Sequence, residues 1–362
     1  MSCLFYGFWH FLKKNNISYF FLYAAICLAY APTWADSTET DIRYAAELDQ
    51  LPTGCRTAAM GNSGVSQPFD ASGIFWNPAA SSFTKSYDMS AEYASLYDGL
   101  SSQACAAFRA PLQDNMSVGI LYEPFFSGDI NLWDTLEGTY LERLKDASKR
   151  TDGSSSGVFT NTQHNLSVSF ARLFNVPVPR PTSYSYPLPI EFSAGIGFKG
   201  YWQTMNPDKK LRMGMNVNCD AGLLLHIGID YDLLKKNVSR AIYAGFSVKD
   251  FLGTKVIWIN SPTNYQEKVD RTEYFGLSYI DKTGIAGADW TVALGGEQSY
   301  TTTFQGGIEA KFWNMLSFRA GLSDQTFTTG VGISYKKYQL DYAFSFDDLA
   351  YSPLRLSLGY SF

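Results

Sequence analysis

Beyond residue 35 the chain has no uninterrupted apolar run approaching the eighteen or so residues that a membrane-spanning helix requires. If the protein sits in a membrane, helices do not put it there. Cysteine is also scarce: beyond residue 35 there are only Cys55, Cys105 and Cys219, odd in number, far apart and with no C-x-x-C pair among them. Neither a disulfide framework nor a metal site is expected from them. Of the 3 histidines, only His164 and His226 lie beyond the same point, and no serine, cysteine or carboxylate motif accompanies either, so no enzyme activity and no cofactor is expected. Positive charge is not in excess, because 29 Lys and Arg stand against 34 Asp and Glu. That mildly acidic balance gives no reason to expect nucleic acid as a partner.

Aromatic residues, by contrast, make up 16% of the chain. Some lie in the first 35 residues, where Lys13 and Lys14 precede the apolar run "ISYFFLYAAICLAYA" and Thr33-Trp34-Ala35 offers a small residue for cleavage before Asp36. This reads as a secretory signal peptide over 1–35. A retained N-terminal anchor is the competing reading, since the apolar run is of borderline length. Cleavage would remove Lys13 and Lys14 and take the net charge from -5 to -7.

Periodicity dominates the rest. At the C-terminus Leu354, Leu356, Leu358, Tyr360 and Phe362 alternate with Arg355, Ser357, Gly359 and Ser361. The segment before it sets Tyr338, Leu340, Tyr342, Phe344 and Phe346 against Gln339, Asp341, Ala343 and Ser345. Strict alternation over nine or ten residues is long for a soluble strand and right for a tilted strand that crosses a bilayer. Similar segments lie near 86–94, 102–109, 115–124, 163–173, 190–202, 219–228, 239–249, 272–280, 288–296, 303–312, 315–323 and 326–335. Together these make fourteen candidates, an even number as a bacterial outer-membrane barrel requires; twelve stays open because the first two and the ninth are weakly patterned. The long connections, near 125–162, 203–218 and 250–271, all fall on one side of such a barrel, the extracellular side. In the longest, Leu132, Trp133, Leu136, Tyr140, Leu141 and Leu144 recur near helical spacing and predict a short amphipathic helix.

The stretch Gly73-Ile74-Phe75-Trp76-Asn77-Pro78-Ala79-Ala80 fits no strand, because Asn-Pro stops one. Segment 57–80, "TAAMGNSGVSQPFDASGIFWNPAA", resembles the N-terminal motif of the FadL superfamily of outer-membrane channels. Within that family the closer likeness is to the PorV/PorQ branch, carried by "IEAKFWNMLSFRAGLSDQTFTTGVGISYKKYQLDYAFSF" and "SPLRLSLGYSF". The chain departs from the family pattern at Cys55, Asn62 and Gln67-Pro68. The resemblance implies a hatch inside a fourteen-stranded barrel, with residues 36–85 as periplasmic segment and hatch and 86–362 as the barrel. It makes Phe75, Trp76, Asn77, Pro78 and Ala79 the candidates for hatch and ligand contact. It also implies either passive transport of hydrophobic small molecules or a role among the proteins of type IX secretion.

Gly195-Ile196-Gly197-Phe198-Lys199-Gly200 satisfies the dinucleotide fingerprint G-x-G-x-x-G, but it sits inside an alternating strand, with no helix N-terminus to cradle a phosphate. Small residues that leave room for the hatch explain these glycines better. Glu191, Lys199, Glu309, Lys311, Arg319, Asp341 and Arg355 all fall on the inferred inner face; they are expected to pair across the lumen, meet water or hold the hatch. Tyr360 and Phe362 have the look of the terminal aromatic signal read by the barrel-insertion machinery. The expectation is thus an all-β transmembrane antiparallel barrel of about 14 strands, set in the outer-membrane lipid of a diderm bacterium.

Overall fold

Side chains that alternate between bulky apolar and small or polar suit an extended backbone, whose successive residues point to opposite faces. The computed structural model of this chain describes residues 48, 51–133, 136–149, 154–178, 188–206, 211–232, 237–260, 266–299, 301–346 and 353–362, all in the compact unit Tyr44–Phe362. The signal peptide expected over 1–35 lies outside the described residues.

Sixteen strands form among them: β1 (Asp88–Leu96), β2 (Ser101–Pro111), β3 (Met116–Leu132), β4 (Gly157–Val178), β5 (Leu188–Met205), β6 (Arg212–Asp232), β7 (Asn237–Lys249), β8 (Lys255–Ile259), β9 (Gln266–Lys268), β10 (Thr272–Asp281), β11 (Ala288–Gln298), β12 (Thr302–Phe312), β13 (Leu316–Ser323), β14 (Thr326–Tyr335), β15 (Tyr338–Phe346) and β16 (Leu354–Ser361). Fourteen of them, all but β8 and β9, pair antiparallel with sequence neighbours around a ring, with β7 passing directly to β10. The ring closes where β1 meets β16, from Asp88↔Ser361 to Ser95↔Leu354. No edge is left along this wall, which is what a backbone surrounded by hydrocarbon demands.

The outward positions hold residues such as Phe318, Leu322, Val331, Leu340, Leu356 and Leu358, all exposed. An apolar surface of that extent suits lipid and not water. Tight turns close one end: in 113–116 and 312–315 the central pairs Asp114-Asn115 and Trp313-Asn314 have positive φ between 52 and 59°, the type I′ geometry that matches strand twist.

The opposite end differs from expectation. The connection expected over 125–162 narrows to 133–156 and that over 203–218 to 206–211, because β3, β4, β5 and β6 run on for 17, 22, 18 and 21 residues. A strand needs only about 9–11 residues to cross the bilayer. Ladder hydrogen bonds continue regardless of side-chain polarity, as in Ile130↔Phe159 and Leu132↔Gly157, whereas the alternation visible in sequence stops where the apolar face stops. The region 250–271 is not an open loop either. It holds the hairpin β8–β9, whose first strand pairs with the end of β6 through Met213↔Ile259, Gly214↔Trp258 and Met215↔Ile257. Among the described residues of 133–156 a short α-helix does form, α3 (Tyr140–Lys145), and Thr139 and Glu142 close a reciprocal capping box at its start.

The hatch segment supplies the packed interior. It contains α1 (Cys55–Ala59), α2 (Gly73–Trp76) and a 3₁₀ turn, Pro78–Phe83. Nearly every residue from Thr53 to Ser82 is buried, although a segment so rich in small and polar residues would bury little alone.

Candidate functional site

The Asn-Pro step that breaks the strand pattern turns out to be a cap. Asn77 Oδ1 accepts from the Ala79 backbone at 3.0 Å, while Nδ2 donates to the carbonyls of Val65 at 3.1 Å and Leu223 at 2.9 Å. Pro78 opens the 3₁₀ turn, where its missing N–H has no bond to lose. The turn is then fastened to the wall: the Ser82 hydroxyl donates to Ser193 Oγ at 2.7 Å, Ser193 Oγ donates to the Ala79 carbonyl at 2.9 Å, and Ser81 meets Ser117 at 3.0 Å. The wall makes room through glycine. A Cβ at Gly195 would fall 2.5 Å from the Ala79 nitrogen, and one at Gly307 would strike the Met60 backbone.

Phe75 and Trp76 lie beside this turn and are 5% and 3% exposed. They form one apolar cluster with Val65, Ile74, Cys105, Leu121 and Tyr274. Leu121, an apolar exception on the inner face of β3, is explained by this contact. The Trp76 indole N–H donates to the Thr53 carbonyl at 2.7 Å. Lys249 Nζ sits 3.0 Å from the Phe75 ring centroid and within 6 Å of the Tyr274 and Trp76 rings, at 5.4 and 5.8 Å, so three rings surround one buried ammonium. In this closed arrangement the two aromatics are fully covered.

Charged groups on the inner face mostly meet one another. Arg319 is held between Glu309 at 2.6 Å and Asp341 at 2.7 Å, and Arg56 of the hatch reaches the same Glu309 at 2.5 Å. Arg355 pairs with Glu92 at 2.8 Å, and the other oxygen of Glu92 accepts from the Gly54 backbone. Lys199 bridges Asp250 at 2.8 Å and Asp220 at 3.4 Å, while Glu191 faces His226 at 2.7 Å. Lys311 is the exception, bonded to the Ser334 hydroxyl at 3.2 Å. Sequence reasoning missed the partners Asp88, Glu92, Arg109 and Glu123. Arg109 pairs with Asp88 at 2.9 Å and donates to the Pro68 carbonyl of the hatch; Glu123 accepts from Thr53 at 2.6 Å. The signal was available, since each occupies an inward position of β1, β2 or β3 by the period-two rule.

A second apolar cluster closes the other end of the lumen. Val256 and Trp258 of β8 and Val269 pack on Leu48, Leu96, Phe125 and Tyr201, while Ile257 and Ile259 of the same strand are exposed. β8 takes the place beside β6 that β7 leaves open above Lys249. The alternation in Lys255-Val-Ile-Trp-Ile259 is the signal that sequence reading passed over inside a presumed loop. At the far terminus, Tyr360 and Phe362 stack at 5.4 Å and Phe362 stacks on Tyr87 at 5.4 Å. Among the described residues no group of three or more His, Cys, Asp or Glu is placed to hold a metal ion.

No protein-family profile matches the sequence, and no curated protein does. Similar solved structures include a deltaS2 mutant of the monoaromatic hydrocarbon channel TodX, at 13% identity and a TM-score of 0.48 over 86% of this chain and 98% of that one. A Pseudomonas aeruginosa FadL homologue is 12% identical, with a TM-score of 0.46 over 86% of this chain and 98% of its own. The Ralstonia pickettii toluene transporter TbuX is 11% identical, with a TM-score of 0.44 over 85% and 97%. At such identities no residue role carries over.

Proposed function

We propose that this protein is an outer-membrane channel that passes hydrophobic small molecules. The observation that carries the reading is a pair of covered apolar sites along one wall of the lumen. Leu121 belongs to the hatch cluster and Phe125 to the mouth cluster; they sit on the same face of β3, four residues or about 13 Å apart. Each site is covered by a segment that is not part of the closed wall: the hatch in one case, the β8–β9 hairpin in the other. An apolar solute that displaces a cover replaces its contacts in kind, at about 25 cal/mol per Å² of apolar surface. Phe75 and Trp76 are then the contacts exposed as the hatch shifts, with Asn77, Pro78 and Ala79 as the part that moves.

The test is uptake of a polarity-sensitive apolar dye into vesicles that hold the purified protein. The reading fails if the protein neither binds the dye nor changes its passage. A map of the protein from its own membranes, with elongated density beside Phe75 and Trp76, would support it further.

A second reading, a PorV/PorQ-like interaction component of type IX secretion, is favoured by one feature. Trp133, Leu136, Tyr140, Leu141 and Leu144, on and before α3, are all exposed, and Tyr140–Lys145 buries nothing. The predicted helix therefore forms without packing down on its own loop, leaving an apolar face toward the extracellular side that a partner protein would cover. Pull-down from native membranes separates the readings: large secretion proteins would support this one, and their absence would leave the channel.

A further inference from the structure

We propose that the barrel carries a binding site for a phosphate-type oxyanion at the end where its tight turns lie, in a polar cavity between the hatch and the ends of β12, β14, β15, β16 and β1. The cavity measures about 220 Å³, and its wall includes Arg56, Lys311, Lys336, Lys337, Ser334 and Asp70. This proposal is independent of what passes through the lumen.

Charge balance points to an anion. Three further carboxylates touch the cavity, Asp88, Glu92 and Asp341, and each is already matched by an arginine: Arg109 at 2.9 Å, Arg355 at 2.8 Å and Arg319 at 2.7 Å. The lysines are not matched in this way. Lys311 bonds to a neutral hydroxyl, and among the described residues no carboxylate lies within ion-pair distance of Lys311, Lys336 or Lys337. Lys336 Nζ lies over the outward Tyr335 ring at 5.2 Å, which leaves Lys311 and Lys337 at the cavity; against them stands Asp70, whose Oδ1 accepts from the backbone and hydroxyl of Ser72. The cavity is therefore positive, and Ser334, whose oxygen accepts from Lys311, adds a hydroxyl donor to its lining. Lysine as a compact point charge with a serine donor beside it is a phosphate-binding chemistry.

The hatch adds a further cation to the lining in Arg56, whose guanidinium reaches Glu309 and lays its face on the Phe69 ring at 4.2 Å. The rim holds Met89, Tyr338 and Tyr360 as well, and tyrosines at a strand end mark the level of lipid headgroups. Free phosphate and a lipid phosphate monoester offer the same chemistry there.

The experiment uses the purified full-length protein in non-ionic detergent, titrated with inorganic phosphate while chloride holds the ionic strength constant. Saturable binding is expected for the wild type, weakened about tenfold by Lys311→Met and by the double change Lys336→Gln/Lys337→Gln at the exposed turn. The double variant decides the matter if Lys311→Met does not fold. A second arm places the protein in phosphatidylcholine vesicles with and without phosphatidic acid and measures the lipid retained after re-extraction. Phosphate binding with no retained lipid assigns a free oxyanion; retention of phosphatidic acid that the lysine variants abolish assigns a headgroup. The proposal is overturned if neither ligand is held, or if both variants bind as the wild type does.

Discussion

Replacing Gly195 by valine asks whether the hatch is seated against the wall or merely enclosed by it. Gly195 and Gly200 are five residues apart on β5, so they face opposite sides of the wall. A Cβ at Gly195 would stand 2.5 Å from the Ala79 nitrogen, 2.6 Å from the Pro78 carbonyl carbon and 2.8 Å from Ala79 Cα, whereas at Gly200 it would meet nothing within 4 Å. Carbon atoms rest at about 3.5–4.0 Å from one another, so the shortfall is roughly 1 Å against backbone that cannot rotate aside. Nor can the turn yield locally, because Asn77 is fixed to Val65 and Leu223 and Ser82 to Ser193. Overpacking of this kind costs about 1–3 kcal/mol, and each hydrogen bond that resists it is worth about 0.5–1.5 kcal/mol. The two are comparable, so Gly195→Val is expected to lift Pro78–Phe83 from its seat while the wall, which tolerates β-branched residues well, persists. Gly200→Val is the control. The assay is maleimide labelling of Cys105, buried beneath Phe75 and Trp76, in a background where Cys55 and Cys219 are alanine, followed by conductance in planar bilayers. Labelling and conductance should appear in Gly195→Val alone. A folded Gly195→Val barrel that stays as unlabelled and as closed as the wild type would refute the reasoning.

Arg319→Met leaves the buried Asp341 without its ion-pair partner, while Glu309 keeps Arg56, and is expected to destabilise the barrel by about 3–5 kcal/mol, read as a lower temperature for loss of the folded band in gel electrophoresis; adding Asp341→Asn should restore most of it. Burial, with the nearby charges of Glu92 and Asp341, pushes the Cys55 thiol well above its ordinary pKa. It therefore stays protonated and inert to maleimide through the alkaline range where an exposed cysteine reacts, and alkali alone should not change that until the hatch moves. Trp258→Ala removes the largest side chain under the β8–β9 hairpin and should raise dye passage while leaving the barrel's thermal stability nearly unchanged; a large loss of stability would mean that the hairpin is part of the wall and not a cover. Deleting Phe362 removes its stack on Tyr87 and Tyr360 and should lower the yield of membrane-inserted protein more than Phe362→Tyr does.

The wall was legible because a barrel in lipid writes its geometry into every second residue. Phe318, Ala320 and Leu322 face out and Arg319 and Gly321 face in, and only one register satisfies both solvents. What lies off that period was less legible. β8 is five residues long, too short for alternation to stand out inside a region that length alone marks as a loop. β3–β6 outrun their apolar stretches because backbone pairing leaves no trace in hydropathy. The inner charges were visible one strand at a time, but not their partners. Arg56 reaches Glu309 across 253 positions of sequence, and no local pattern encodes that.

The same distribution of partners indicates where the hatch gives way first. On the β12 side it is held by a buried ion pair, Arg56 to Glu309, and on the β1 side by the bond from Gly54 to the carboxylate of Glu92. Hydrogen bonds to a charged group are worth about 1.5–3 kcal/mol, and buried pairs are little screened by salt. Against β5 and β6 the fastenings are neutral, Ser82 to Ser193 and Asn77 to the Leu223 carbonyl, at about 0.5–1.5 kcal/mol each. The α2 aromatics sit between these two sides, with Lys249 over Phe75. The Pro78–Phe83 turn has only one charged tie, the long 3.4 Å bond from Arg109 to the Ala80 carbonyl, so the hatch is expected to swing more readily than it lifts, with Arg56 as the pivot and that turn as the freer end. Gly195→Val strikes that freer end, whereas Glu309→Gln removes the ion pair at the pivot, so the two should open the lumen by different amounts at equal loss of stability. Equal opening from both would mean that the hatch moves as a rigid body.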